Sequence, residues 1–127
     1  MNIVRKINAE LAIAGQITLV QLQELADEGY KSVINLRLAE ETGFLLDEKE
    51  KAELLQLYYI NLPFKTENIT YQNTLKIFQA IVELPKPTLI HCDNSIRSAI
   101  IVLLYIALKQ GIQFEQALQK VIQLGLI

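Results

Sequence analysis

TLIHCDNSIRSAIIVLLYIALKQG, residues 88–111, joins a short apolar run, a polar loop and a long apolar segment closed by glycine. Thr88 to His91 looks buried on all faces, as expected of a central parallel strand covered on both sides. Ser98 to Gln110 is apolar almost throughout, and Gly111 stands where a helix would stop, so this segment reads as a buried helix. The chain's single cysteine, Cys92, lies where the strand gives way to the loop. Open α/β sheets bind ligands beyond the carboxyl ends of their strands. The same stretch is therefore both the centre of the fold and the first place to look for chemistry.

Working outward, the chain alternates between the two periodicities. Ile3 to Ile7 and Leu11 to Ala14 read as short strands ending at Gly15. Thr18 followed by Gln21 resembles a capping box, with Leu22, Leu25 and Ala26 on one helix face and Gly29 past the end. Tyr30 to Leu36 is β-branched and apolar, a buried strand. Asp47 with Glu50 gives a second capping-box pattern, and the helix it starts leads to the strand Tyr58 to Asn61. After a loop from Leu62 to Ile69, Thr70 to Leu84 places Leu75, Phe78 and Val82 at helical spacing before Pro85-Lys86-Pro87 stops it. Phe114 to Leu124 is a last amphipathic helix ending at Gly125. The expected class is α/β: a central, mostly parallel sheet of four to five strands flanked by helices. No repeat or linker breaks the chain, so residues 1–127 read as one domain.

Composition narrows the function. Twelve basic against fourteen acidic residues leave no excess of positive charge, and no Lys/Arg stripe of a nucleic-acid binder is present, so nucleic acid is an unexpected partner. One cysteine and one histidine make neither a disulfide nor a cysteine-rich metal site. Residues 1–10 carry Arg5, Lys6 and Glu10 and lack the apolar core of a signal peptide. The longest apolar stretch, Ala99 to Leu108, is about half of the ~20 residues a membrane span needs. No membrane association, no metal and no cofactor are expected, and a reducing cytoplasm suits the free thiol. Composition leaves the oligomeric state undetermined.

The loop His91-Cys92-Asp93-Asn94-Ser95-Ile96-Arg97-Ser98 runs directly into the amino terminus of the apolar helix. Unpaired N–H groups and the helix dipole favour an anion there, and the same field together with a cation stabilises a nucleophilic thiolate. Arg97 is that cation, and its planar fork can hold two oxygens of a tetrahedral oxyanion. An arginine at a helix amino terminus opposes the dipole unless an anion accompanies it, which makes Arg97 more telling than a cap. Ser98 could donate to the sulfur as it leaves. His91 is either a satisfied core residue or a ring that orients the loop, and a lone cysteine taken by itself is more often an inert buried hydrophobe. Arg37, at a strand end on the same side of the sheet, either contacts substrate or bridges to a carboxylate. Glu40, Glu41 and Glu67 read as solvated surface charges, any one of which could instead serve as proton donor, and Tyr58 and Tyr59 read as core and sheet packing.

Strand, His91-Cys92, four intervening residues, Arg97-Ser98 and helix resemble the signature of the protein tyrosine phosphatase superfamily. About residues 3 to 127 are similar, more closely, to the phosphatase-like domain of bacterial beta-lactamase hydrolase-like proteins. The matching landmarks are Ala14-Gly15-Gln16-Ile17, the run from Leu25 through Gly29-Tyr30-Lys31 to Arg37, the Cys92 loop, and Leu124-Gly125-Leu126. The resemblance implies a phosphotyrosine phosphatase-like fold and a dual-specificity-like hydrolase of phosphomonoesters without a metal. Cys92 would be the nucleophile and Arg97 would bind phosphate. Read from the loop and the strand ends themselves, Ser98 would assist, and Asp93, Asn94, Ser95 and Ile96 would line the cradle with His91 and Arg37. Related enzymes draw a leaving-group proton from an Asp in a neighbouring loop, where Leu62 to Ile69 offers only Glu67.

This chain departs from that pattern. Most tyrosine phosphatases have five residues between Cys and Arg, and the four here are also the spacing of rhodanese-type sulfurtransferases. Ser95 stands where the family usually has Gly, and Asp93 where a basic residue is common. A non-Gly residue forced into the left-handed region costs about 1–2 kcal/mol, and an inward Asp93 would repel a dianion. Three functions stay open: a phosphatase acting on a small oxyanion or phosphorylated substrate, a sulfurtransferase forming a Cys92 persulfide, and a catalytically weak anion-binding or regulatory module.

Overall fold

The computed structural model describes residues 3–127. Met1 and Asn2, which the signal-peptide expectation for residues 1–10 includes, lie outside the described residues. The described residues form five strands and five helices, alternating from β2 to α4: β1 Arg5–Lys6, β2 Leu11–Ala14, α1 Leu19–Asp27, β3 Ser32–Asn35, α2 Glu48–Leu54, β4 Tyr58–Asn61, α3 Tyr71–Glu83, β5 Thr88–His91, α4 Ile96–Lys109 and α5 Phe114–Gln123. The strands form one sheet in the order β1-β2-β5-β3-β4, parallel except for β1. β5 occupies the middle, with His91 in register with Ala14 on one side and Asn35 on the other.

Period-two alternation divides the core between the two faces. Leu11, Ile13, Ile34 and Ile90 pack beneath α3, α4 and α5. Ala12, Ala14, Val33 and Leu89 pack against the apolar residues of α1 and α2. All residues of β2, β3 and β5 are buried, as a sheet covered on both faces requires. Among the described residues, no helix is long and apolar enough to cross a membrane.

Local chemistry explains the start of α1. At α1 the capping box is complete: Gln21 N donates to Thr18 Oγ1 and Thr18 N to Gln21 Oε1, each at 3.0 Å. The expected second box fails. Asp47 occupies the cap position of α2 with φ −95° and ψ 5°, and its side chain makes no capping bond. That backbone lacks the extended geometry that swings a cap side chain over the first amides. The buried face of α3 is also rotated from the expected one. Thr74, Ile77, Phe78 and Ile81 face the core, whereas Val82 is 60% exposed. Thr74 fits because its hydroxyl donates back to the Tyr71 carbonyl at 2.8 Å, which hides its polarity. Tyr58 departs from its expected packing role and is exposed on edge strand β4.

Candidate active site

The alternation of β5 continues into the loop and assigns its first two side chains to opposite faces. Cys92 follows Ile90 into the core beneath α3–α5 and is fully buried. Its backbone N–H donates to the Ala14 carbonyl at 3.2 Å, so the loop stays pinned to β2 where it leaves the sheet. His91 follows Leu89 to the other face and is equally buried.

The loop turns at Ser95, whose φ of 71° and ψ of −7° lie in the left-handed region. This is the conformation for which glycine is normally used, and the Ser95 Cβ carries its cost. α4 begins right after the turn at Ile96, two residues before the expected start. The loop's own side chains sit on its amides: Asp93 Oδ1 accepts from Asn94 N at 2.8 Å, and Asn94 Oδ1 from Ile96 N at 3.1 Å. Ser98 is fully buried, with its hydroxyl 3.5 Å from the Ala14 carbonyl.

Arg97 projects from the first turn of α4 and meets two carboxylates. Its Nη1 and Nη2 donate to the two oxygens of Glu41, both at 2.7 Å, and Nη2 also donates to Asp93 Oδ1 at 3.0 Å. Glu41 is therefore no solvated charge. It is a bidentate partner of a cation that the helix dipole disfavours. Hydrogen bonds from Arg97, then from the Leu38 N–H and Arg37, outweigh desolvation and draw the Glu41 carboxyl down to about 2. Asp93 is likewise lowered, its burial opposed by Arg97 and by the Asn94 amide.

Arg37 stands one step behind. It is 3% exposed and donates to Glu41 at 3.1 Å, to Gln16 Oε1 at 2.8 Å and to the Thr42 carbonyl. Its guanidinium thus bridges to a carboxylate. Glu67 lies closer to the opening: a cleft of about 550 Å³ is lined by Glu41, Lys65, Glu67, Asp93, Asn94 and Arg97, among others. Neither Cys92 nor Arg37 belongs to its lining. Among the described residues, no three His, Cys, Asp or Glu side chains cluster closely enough to hold a metal ion.

Beneath the loop lies a second polar cluster that the sequence did not announce. Glu48, the first residue of α2, is 1% exposed. Its Oε2 lies 2.6 Å from His91 Nε2 and accepts from the Tyr59 hydroxyl at 2.8 Å and from Asn35 Nδ2 at 3.4 Å. Its Oε1 accepts from Gln16 Nε2 at 2.8 Å. Burial alone would raise the Glu48 carboxyl, but the hydrogen bonds from His91, Gln16 and Tyr59 hold it below its ordinary value. Burial, foremost, and the Glu48 charge push the Tyr59 phenol up. The one trace of it in the sequence is that Asn35 and His91, both polar, end two buried strands.

The family model described as "Beta-lactamase hydrolase-like protein, phosphatase-like domain" matches residues 3–109. The chain belongs to this family. A beta-lactamase hydrolase-like protein of Agrobacterium fabrum is 32% identical over 111 residues, 85% of this chain and 26% of that relative. The phosphatase-like domain thus spans about a quarter of that relative's length. Among solved structures, a DUF442 protein of Shewanella putrefaciens superposes with a TM-score of 0.77 at 24% identity, covering 90% of this chain and 74% of the other. The core catalytic domain of the PP-IP phosphatase SIW14 from S. cerevisiae, in complex with citrate, superposes with a TM-score of 0.71 at 16% identity, covering 93% and 72%. These likenesses show a phosphotyrosine phosphatase-like fold.

Proposed function

We propose that this phosphatase-like domain hydrolyses phosphomonoesters through Cys92, with Arg97 and the loop amides holding the phosphoryl oxygens. The observation that carries the reading is the loop itself. It leaves the carboxyl end of the central strand, turns at left-handed Ser95, and delivers Arg97 to the cleft at the amino terminus of α4. The incoming dianion displaces Glu41 and Asp93 from the guanidinium and the Asp93 and Asn94 side chains from the loop amides, and the loop opens enough to uncover the sulfur. The Cys92 thiolate then attacks phosphorus as the ester P–O bond breaks. Glu67, at the cleft wall, gives the leaving oxygen its proton. Water attacks the phospho-cysteine and gives its proton to the Glu67 carboxylate as the P–S bond breaks, releasing inorganic phosphate and restoring the thiolate and the acid. The citrate complex of SIW14 supports an anion site on this fold.

A second reading has an observation in its favour. The fully buried sulfur suits an anion-binding module without turnover. Steady-state assays with an aryl phosphate on wild type and Cys92→Ser separate the two. Wild-type turnover abolished by the substitution supports the hydrolase. Phosphate binding with no turnover supports the module. A thiosulfate-to-cyanide assay run beside them tests sulfur transfer, which the four-residue spacing allows.

A further inference from the structure

Burying a carboxylate is expensive, and an apolar residue of similar size often serves stability as well or better. Yet Glu48 is buried in the angle between α2 and the sheet, with donors reaching it from the segment after β2, from β3, from β4 and from β5. The Gln16 and Asn35 amides and the Tyr59 hydroxyl donate to its two oxygens, and His91 meets it through a ring nitrogen, so both oxygens are held in place. Two routes lead from it to the loop. The direct one is His91, whose second ring nitrogen, Nδ1, lies 3.3 Å from the Cys92 carbonyl oxygen, so the ring spans Glu48 and the first residue of the loop. The longer one passes through Gln16, whose amide bonds Glu48 and Arg37, and then through Glu41 to Arg97.

We propose that Glu48 is the positioning residue of the Cys92 loop, locking the His91 ring against the Cys92 carbonyl so that the sulfur is presented in one fixed direction. Glu48 touches neither substrate nor sulfur. Its catalytic consequence rests on the hydrolase reading, but its hold on the loop does not. The polar cluster lies on the face of the sheet opposite the Cys92 side chain, so it steers the backbone of the loop. This accounts for a buried glutamate in a seven-residue helix that lacks a side-chain cap.

The test is Glu48→Gln, which keeps the shape but turns half of the acceptor into a donor facing other donors. Amide hydrogen exchange followed by NMR reads the loop through Cys92 N–H and Gln16 N–H, which bond Ala14 and Asp93 respectively. Losing a buried partner corresponds to roughly a tenfold rise in local opening at these two amides, with Val33 and Ile34 in β3 changing less than about twofold. Aryl phosphate kcat is expected to fall roughly tenfold while KM stays within about twofold, because the lost interaction acts on presentation of the nucleophile. Tyr59→Phe, which removes one donor and keeps the ring, supplies a milder variant should Glu48→Gln fail to fold. It should speed the same two amides by about threefold, short of what losing a full buried partner would do. Faster loop exchange in a protein whose wild type turns over no phosphoester supports the positioning and refutes the hydrolase. Unchanged loop exchange, or exchange raised equally throughout the sheet, overturns the proposal.

Discussion

Replacing Glu41 with glutamine should make the domain bind phosphate more tightly. In the resting arrangement, an incoming oxyanion must take Arg97 from a carboxylate that already accepts from both ends of the guanidinium at 2.7 Å. A charge-assisted hydrogen bond of this kind contributes about 1.5–3 kcal/mol when buried. With side chains 13% and 23% exposed, this pair belongs at the low end of that range. Relieving the competition is then worth about 1.5–2 kcal/mol, or about ten- to thirtyfold in affinity. Glutamine keeps one oxygen, for the Leu38 amide that Glu41 Oε2 now accepts at 2.8 Å, and gives up the Arg37 bond that Oε1 accepts at 3.1 Å, so the loop retains its backbone tie to position 41. Calorimetric titration with inorganic phosphate in a Cys92→Ser background measures the change without turnover, and Glu40→Gln, at an exposed neighbour, serves as the control. Phosphate affinity equal to or weaker than that of the parent would refute the reasoning, because it would mean that Glu41 orients Arg97 for the anion and does not occupy its place.

Other expectations follow from the same geometry. Glu41, with its pKa drawn to about 2 in the folded state, contributes stability that is fully present above the unfolded value of about 4.3 and is lost as pH falls through the folded value. Denaturant titrations between roughly pH 4.5 and pH 2 should therefore show a shallower acid decline for Glu41→Gln than for wild type, and parallel curves would count against the latch. Ser95→Gly should stabilise the fold by up to about 1 kcal/mol in urea denaturation, the left-handed cost relieved less glycine's greater unfolded entropy, and a loss of stability would show that the Ser95 side chain matters more than its backbone angle. On α3, Ile81→Ala should cost about 2–5 kcal/mol while Val82→Ala stays within about 0.5 kcal/mol; equal losses would place the buried face wrongly.

The sequence exposed what local physics determines and hid what distant contacts determine. Strands Thr88–His91 and Tyr58–Asn61 could be bounded from β-branched and apolar runs alone, and the α1 cap from Thr18 and Gln21. The need for a left-handed residue at position 95 was legible from the loop's similarity to glycine-bearing relatives. On α3, apolar residues recur at Leu75, Ile77, Phe78, Ile81 and Val82, so more than one stripe fits the helical period. Only the packing against α4 and the sheet selects Ile77, Phe78 and Ile81. The side-chain partners within the site were the least legible. Glu41 meets Arg97 across 56 positions and Glu48 meets His91 across 43, and no local pattern marks either glutamate as other than a surface charge. Arg37 carried two open roles, and its bond to Glu41 was not legible until the fold brought the two together.

The most direct measurement is acid-quenched mass spectrometry of the domain during aryl phosphate turnover. A single phosphoryl adduct on Cys92, absent from Cys92→Ser, is the predicted result. Turnover without that adduct, or no turnover in wild type at all, would contradict the assignment of the nucleophile.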